Sequence, residues 1–276
     1  MANLRIIYDN AADRAVLTAS SQVGELGVAN LKTDEKCEIL RAAGTSLTIT
    51  ATLPIGEIVG GVALPFCNLS AAATIRVRAY AEPGDAAPVV DTGAVLACAY
   101  SPLGAFAWGA TRLAVNAFSY GGGTYARAWF NRTTARHFII DLDDPNNRAG
   151  QIEVARLVMG NYWSPENNAS YGAGVTPVDT SEQYRTAGNS QQVSRGAQYR
   201  KLAFPLDCMT PIDRANLWRI VRGNGLSQPV FISLLPDNAD PELEQAHQVY
   251  GRLSSLAAIT IPRFEAYATT FDIEEL

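Results

Sequence analysis

Few side chains in this sequence offer chemistry: two histidines, His137 and His247, and four cysteines, Cys37, Cys67, Cys98 and Cys208. Nucleophilic hydrolysis needs a base beside a Ser or Cys, and that base is most often His. His137 lies beside Arg136 in a strand-like run, His247 lies in a short acidic stretch, and no Gly-x-Ser-x-Gly elbow occurs. Both histidines read as structural or surface residues. The cysteines are widely spaced and form no Cys-x-x-Cys knuckle, so they read as reduced, buried packing residues rather than zinc or iron–sulfur ligands. Acidic and amide residues cluster at Asp141, Asp143, Asp144, Asn146, Asn147 and Glu153. As an EF-hand loop this segment fails, because Pro145 takes the third ligand position, Asn146 the required glycine and Ile152 the bidentate glutamate. An Asx-type turn and a loop holding calcium through backbone carbonyls both stay open. No phosphate-cradling Gly-x-x-x-x-Gly-Lys-Ser/Thr motif exists, and Gly223-Asn224-Gly225 reads as a helix stop. A glycosidase needs two carboxylates at a set separation, and among 27 acidic residues nothing singles out a pair. The expectation is a non-enzymatic protein with no catalytic residue, no metal site and no cofactor.

The remaining chemical signal is aromatic. Residues 99–134 hold Tyr100, Phe106, Trp108, Phe118, Tyr120, Tyr125, Trp129 and Phe130, with Gly121-Gly122-Gly123 among them, and strand-like alternation is lost there. The segment reads as a long excursion, a loop or a hairpin arm. Aromatic faces stack on sugars and on partner surfaces alike. The core of a subdomain, a protein contact and a glycan site are therefore all open, and the candidate partner or glycan contacts are Tyr100, Phe106, Trp108, Tyr120, Tyr125 and Trp129.

The elements that would position these residues follow from composition and pattern. With 276 residues, 47% apolar and 18% charged, the chain suits two packed domains. A net charge of −5 argues against a phosphate-backbone binder, so sequence-specific nucleic-acid binding is not expected. No apolar run is long enough for a membrane-spanning helix, and the N-terminus lacks a signal-peptide pattern, so synthesis in the cytoplasm is expected. Leu47–Leu53 and Thr74–Tyr80 alternate as half-buried strands, while Ile58–Phe66 is apolar enough to be covered on both faces. Arg136–Leu142 and Gln151–Met159 read as a further strand pair. Residues 164–194 are rich in Ser, Asn, Gly, Thr and Pro and read as a linker or extended arm. Thr210-Pro211-Ile212-Asp213 opens a helix, with Leu217, Ile220 and Val221 as its core stripe beside Ile212 and Trp218. Pro229–Leu234, a short helix from Asp240-Pro241, and two terminal strands over Tyr250–Leu276 complete the chain. The fold class is mainly β with a few short helices. The expected division is 1–163 as a sandwich carrying the 99–134 excursion, 164–194 as the arm, and 195–276 as a strand-helix-strand assembly domain.

Three segments, in order, resemble the discoidin, or galactose-binding-like, jelly-roll sandwich. They are Ala29–Asp34 leading to Ile39-Leu40-Arg41 and Leu47–Leu53; Ile58–Phe66 with Asn68-Leu69-Ser70 and Ile75–Tyr80; and Ala135–Leu142 with Gly150–Met159. The family's usual tryptophan is absent from Glu38–Arg41, and so are its paired cysteines, so no ligand-binding residue carries over. Asn3–Ile6, Ala135–Phe138, Gly160–Pro165 and Tyr250–Leu276 resemble tail proteins of long-tailed bacteriophages, and residues 176–276 are similar to the barrel of tail-tube and distal-tail proteins.

That resemblance implies a structural protein of a phage tail tip or baseplate. It would form a three- or sixfold homo-oligomeric ring around the distal end of the tail tube, contact tail-tube and tail-tip or hub proteins, and belong to the virion tail after assembly in the host cytoplasm. Candidate assembly contacts are Tyr162, Trp163, Tyr171 and Tyr184. The alternative is a host-receptor or glycan-binding module of the tail, with a host-surface glycan as its ligand.

Overall fold

In this computed structural model the described residues are 3–98, 124–238, 241–256, 258–263 and 265–276. The chain begins with β1 (Arg5–Ile7), β2 (Val16–Ala19), β3 (Leu40–Arg41), β4 (Ser46–Cys67), β5 (Thr74–Tyr80), β6 (Val90–Asp91), β7 (Val95–Leu96) and β8 (Thr124–Asp143). It continues through β9 (Glu153–Val154), β10 (Val158–Gly160), β11 (Tyr162–Trp163), β12 (Gly174–Asp179), β13 (Glu182–Arg185), β14 (Gln191–Ser194) and β15 (Gln198–Met209). Helix α1 (Pro211–Asn224), β16 (Val230–Ser233), α2 (Pro241–Ala246), β17 (Gln248–Leu253), β18 (Thr260–Arg263) and β19 (Ala266–Glu275) follow.

The first sheet is built on the long antiparallel pair β4–β8, flanked by β3, β9, β10 and β2 along β4, and by β5, β6 and β7 beyond β8. The β4–β8 register shifts between Thr52 and Glu57, between Val59 and Gly61, and between Leu64 and Cys67. Such bulges bend a ladder, and Leu47–Leu53 and Val59–Leu64 contribute to one buried cluster with Phe138, Ile140 and Leu142. Leu47–Leu53 alternates buried and half-buried, as expected, and Val59–Cys67 is buried on both faces. The reason for the double burial is tertiary: Val62 and Leu64 face the sandwich core, whereas Ala63 and Phe66 face a second cluster with Tyr125, Phe231 and Tyr250. Ile58, expected within this covered run, is half exposed. Gly61 is required here because a Cβ would run into the Trp129 ring directly opposite.

The second sheet runs β11-β1-β16-β17-β19-β15-β12, with β18 paired to β19. Helix α1 covers it with Leu217, Ile220 and Val221, which join Leu202, Phe204, Phe271 and Ile273 in one core. Thr210 caps the helix by accepting from Asp213 N at 3.2 Å, and Gly225 closes it at φ 55°. Ile212 and Trp218, expected beside the core stripe, are exposed at 75% and 58%. They lie on the outer flank, because the sheet needs only one face of the helix.

Three expectations about organisation are altered. Strands β1 and β11 leave the sandwich and pair in the second sheet, so residues 3–8 and 161–163 belong with the C-terminal unit. Short strands of this kind carry no mark of which sheet will accept them. Residues 124–134 are part of β8 rather than of an excursion; the small and aromatic side chains of 124–128 suit a strand end buried between two layers, which does not alternate, while Asn131, Arg132 and Thr134 are exposed. Cys67 and Cys98 are buried, each within reach of the Thr124 hydroxyl, but Cys37 and Cys208 are exposed free thiols.

The two sheets are joined by the cluster of Ile7, Ala63, Phe66, Tyr125, Phe231 and Tyr250, and by buried polar links. Glu275 accepts from Arg200 Nη2 at 2.6 Å and from the Tyr125 hydroxyl. Arg127 donates to Glu244 at 2.6 and 2.9 Å. Arg156 donates to the Tyr250 hydroxyl at 3.0 Å and to Asp13 at 3.0 Å, and Tyr250 donates to Asp34 at 2.8 Å. Burial pushes the Tyr125 and Tyr250 phenols well up, Glu275 adding to the effect at Tyr125. An unfolded tyrosine ionises near about pH 10. The folded phenols keep their protons above that, so the stability they contribute is present below about pH 10 and is lost as pH rises beyond it. In an alkaline titration followed by phenolate absorbance, these two of the 11 tyrosines should ionise only together with unfolding. Ordinary, reversible ionisation of all of them before unfolding would contradict the buried junction.

Candidate functional site

Where the sheets meet, a groove of about 410 Å³ opens beside α1. One wall carries Tyr8 after β1, Asn161, Tyr162 and Trp163 around β11, and Arg132 of β8; the other carries Thr210, Asp213, Asn216 and Arg219 from the start of α1. The walls are tied down. Asn224 Nδ2 donates to Tyr8 O at 2.6 Å, and Asn3 Nδ2 donates to Pro165 O at 2.8 Å and Glu166 O at 2.9 Å. Asp213 is used up structurally, accepting from Thr210 Oγ1 at 3.0 Å and Glu166 N at 3.1 Å. The Tyr162 ring stands edge-on to Trp129 at 5.5 Å, with the guanidinium carbons of Arg5 and Arg132 at 5.0 and 5.3 Å from its centroid. Trp163 is buried, and neither its Nε1 nor Asn161 Oδ1 has a hydrogen-bond partner among the described residues. A groove lined by amides, hydroxyls, guanidinium groups and aromatic edges can hold a ligand that both donates and accepts, as a sugar hydroxyl does.

A second feature stands clear of the body. Strands β12 and β15 pair over six positions, and beyond them β13 and β14 form a two-stranded ribbon whose residues are all exposed. Within the segment 164–194, expected to be a linker or extended arm, residues 174–194 supply β12, β13 and β14 of a long hairpin. Tyr171 precedes the hairpin, fully exposed, and Tyr184 lies on it at 58% exposure. Between α1 and the β18–β19 pair, Arg214, Ala215, Trp218, Ile259, Ile261 and Tyr267 line a more apolar cleft of about 430 Å³.

The structure divides the sequence-based candidates. Tyr100, Phe106, Trp108 and Tyr120 lie outside the described residues. Tyr125 is fully buried at the junction, so the expectation of a partner or glycan contact there is corrected, and Trp129 is half-buried against Tyr162 and Phe231. Tyr162 and Trp163 come together in the groove, while Tyr171 and Tyr184 belong to the arm. Tyr8, Arg132, Asn216 and Arg219 were not singled out by sequence, because they converge only through the packing of β1, β8 and α1.

Both histidines, and Asp141, Asp144 and Glu153 of the acidic cluster, have structural partners. His137 Nδ1 is 2.9 Å from Thr52 Oγ1, and His247 Nδ1 is 2.9 Å from Leu243 O. Asp141 pairs with Arg78 at 2.6 Å and Glu153 with Arg41 at 2.8 Å. Buried Asp144 accepts from Ser70 N at 2.7 Å and Ser70 Oγ at 2.5 Å. Asn147 Oδ1 accepts from Ala149 N at 2.9 Å, an Asx-type turn. No group of three or more His, Cys, Asp or Glu among the described residues is placed to hold a metal ion.

No protein-family model matches the sequence, and no curated protein does. Among solved structures, the chain is similar to carbohydrate-binding modules. One is the chitosan-binding module 1 from a chitosanase/glucanase of Paenibacillus sp. IK-5, at 14% identity over 55% of this chain and 99% of that one, with a TM-score of 0.37. Another is CpGH89CBM32-5 from Clostridium perfringens, solved with GalNAc-β-1,3-galactose, at 10% identity over 55% and 100% of the two chains, with a TM-score of 0.37. A third is a fucose-binding module of Streptococcus pneumoniae, at 13% identity over 55% and 94%, with a TM-score of 0.36.

Proposed function

We propose that this chain is a non-catalytic recognition protein that binds a surface glycan in the junction groove. The observation that supports this is the groove itself, where the amides of Asn161 and Asn216, the ring of Tyr8 and the indole of Trp163 converge on walls fixed by both sheets. Preformed, mixed-polarity walls lower the ordering cost of holding a hydroxylated ligand. Retention of the labelled protein on immobilised host-surface polysaccharide tests the reading. Asn161→Ala with Asn216→Ala should lower retention about tenfold, two hydrogen bonds to ligand being lost. Retention that is absent, or unchanged by the pair, would reject it.

The exposed arm favours a second reading, a subunit of a phage tail-tip ring. An isolated two-stranded ribbon is marginal in water, so β13–β14 gains by lying against another surface. An arm on one side and the Trp218 cleft elsewhere on the same unit would suit head-to-tail contacts, which close into rings. Electron microscopy of the protein should then show rings of three- or sixfold symmetry, and excision of residues 181–195 should leave monomers. A dispersed monomer before any excision would end this reading.

A further inference from the structure

We infer that the junction groove selects an anionic saccharide, one carrying a carboxylate or phosphate, and that Arg132 and Arg219 receive the anion. The inference rests on the glycan reading above and adds the charge class of the ligand.

The two arginines near the Tyr162 ring show the contrast. Arg5 is neutralised by Asp237 at 2.8 Å. Arg132 has no carboxylate partner among the described residues, although the protein carries a net charge of −5. Arg219, exposed on the facing wall, has none either. Of the two carboxylates lining the groove, Asp213 is occupied by the helix cap and Glu166 stands exposed at the rim. The walls are therefore rich in donors: two guanidinium groups and the amides of Asn161 and Asn216. Planar guanidinium groups suit carboxylate and phosphate oxygens.

Calorimetric titration of the full chain with three probes tests this: trigalacturonate, glucose 6-phosphate and neutral maltotriose. An anionic probe should bind at least about tenfold more tightly than maltotriose, and Arg132→Ala with Arg219→Ala should remove that advantage. Both side chains are exposed, so the fold should survive, as circular dichroism will show. Preference for trigalacturonate would identify a carboxylated sugar, and preference for glucose 6-phosphate a phosphorylated one. Equal binding of maltotriose, or an anion preference that survives the double variant, would overturn the inference while leaving the glycan reading intact. Binding of none of the three would overturn both.

Discussion

Glu275→Ala should lower the unfolding free energy by about 3–5 kcal/mol, the range for removing one partner of a buried ion pair. The side chains of Glu275 and Arg200 are 1% and 2% exposed. Without the carboxylate, Arg200 keeps its charge in a site closed to water, and the Tyr125 hydroxyl loses its acceptor. Urea denaturation measures the loss. Replacing both partners with apolar residues, Glu275→Leu with Arg200→Met, should cost much less than the single substitution, because no charge is then stranded. A loss under about 1 kcal/mol in Glu275→Ala would mean that water reaches the pair.

Phe231→Ala should cost about 3–5 kcal/mol as well, by opening a cavity in the junction. Phe231 is fully buried, with its ring 6.2 Å from that of Tyr125 and 6.0 Å from that of Trp129. Both substitutions act on Tyr125, so their effects should not add, and a double-mutant cycle should return a coupling of about 0.5 kcal/mol or more. Loss of Phe231 also loosens Trp129, which braces Tyr162 in the groove wall. Glycan retention should therefore fall in the soluble variant below its unfolding midpoint. Full retention there would show that the groove does not depend on how the sheets are joined.

The sequence carried its local features well. Leu47–Leu53 alternates because one face meets a core and the other meets water. Thr210, Pro211 and Gly225 bound α1 because capping is a matter between near neighbours. The same kind of local logic placed the turn after Asp143. Tyr125 misled, because an aromatic residue in a strand buried on both faces has the composition of an exposed contact patch. Arg132 and Arg219 do not stand out, because an arginine without a carboxylate partner among the described residues looks in sequence like any other.

What the sequence alone determined is the β-rich class, the alternating strands and the helix start, all of which follow from residue periodicity and short-range spacing. What only the tertiary structure decided is that β1 and β11 enter the second sheet, that Tyr125, Glu275 and Arg200 close a buried link between residues far apart in the chain, and that Arg132 and Arg219 share a groove. Each depends on contacts across long sequence separations, where strand pairing and burial choose among partners that the local pattern leaves equivalent.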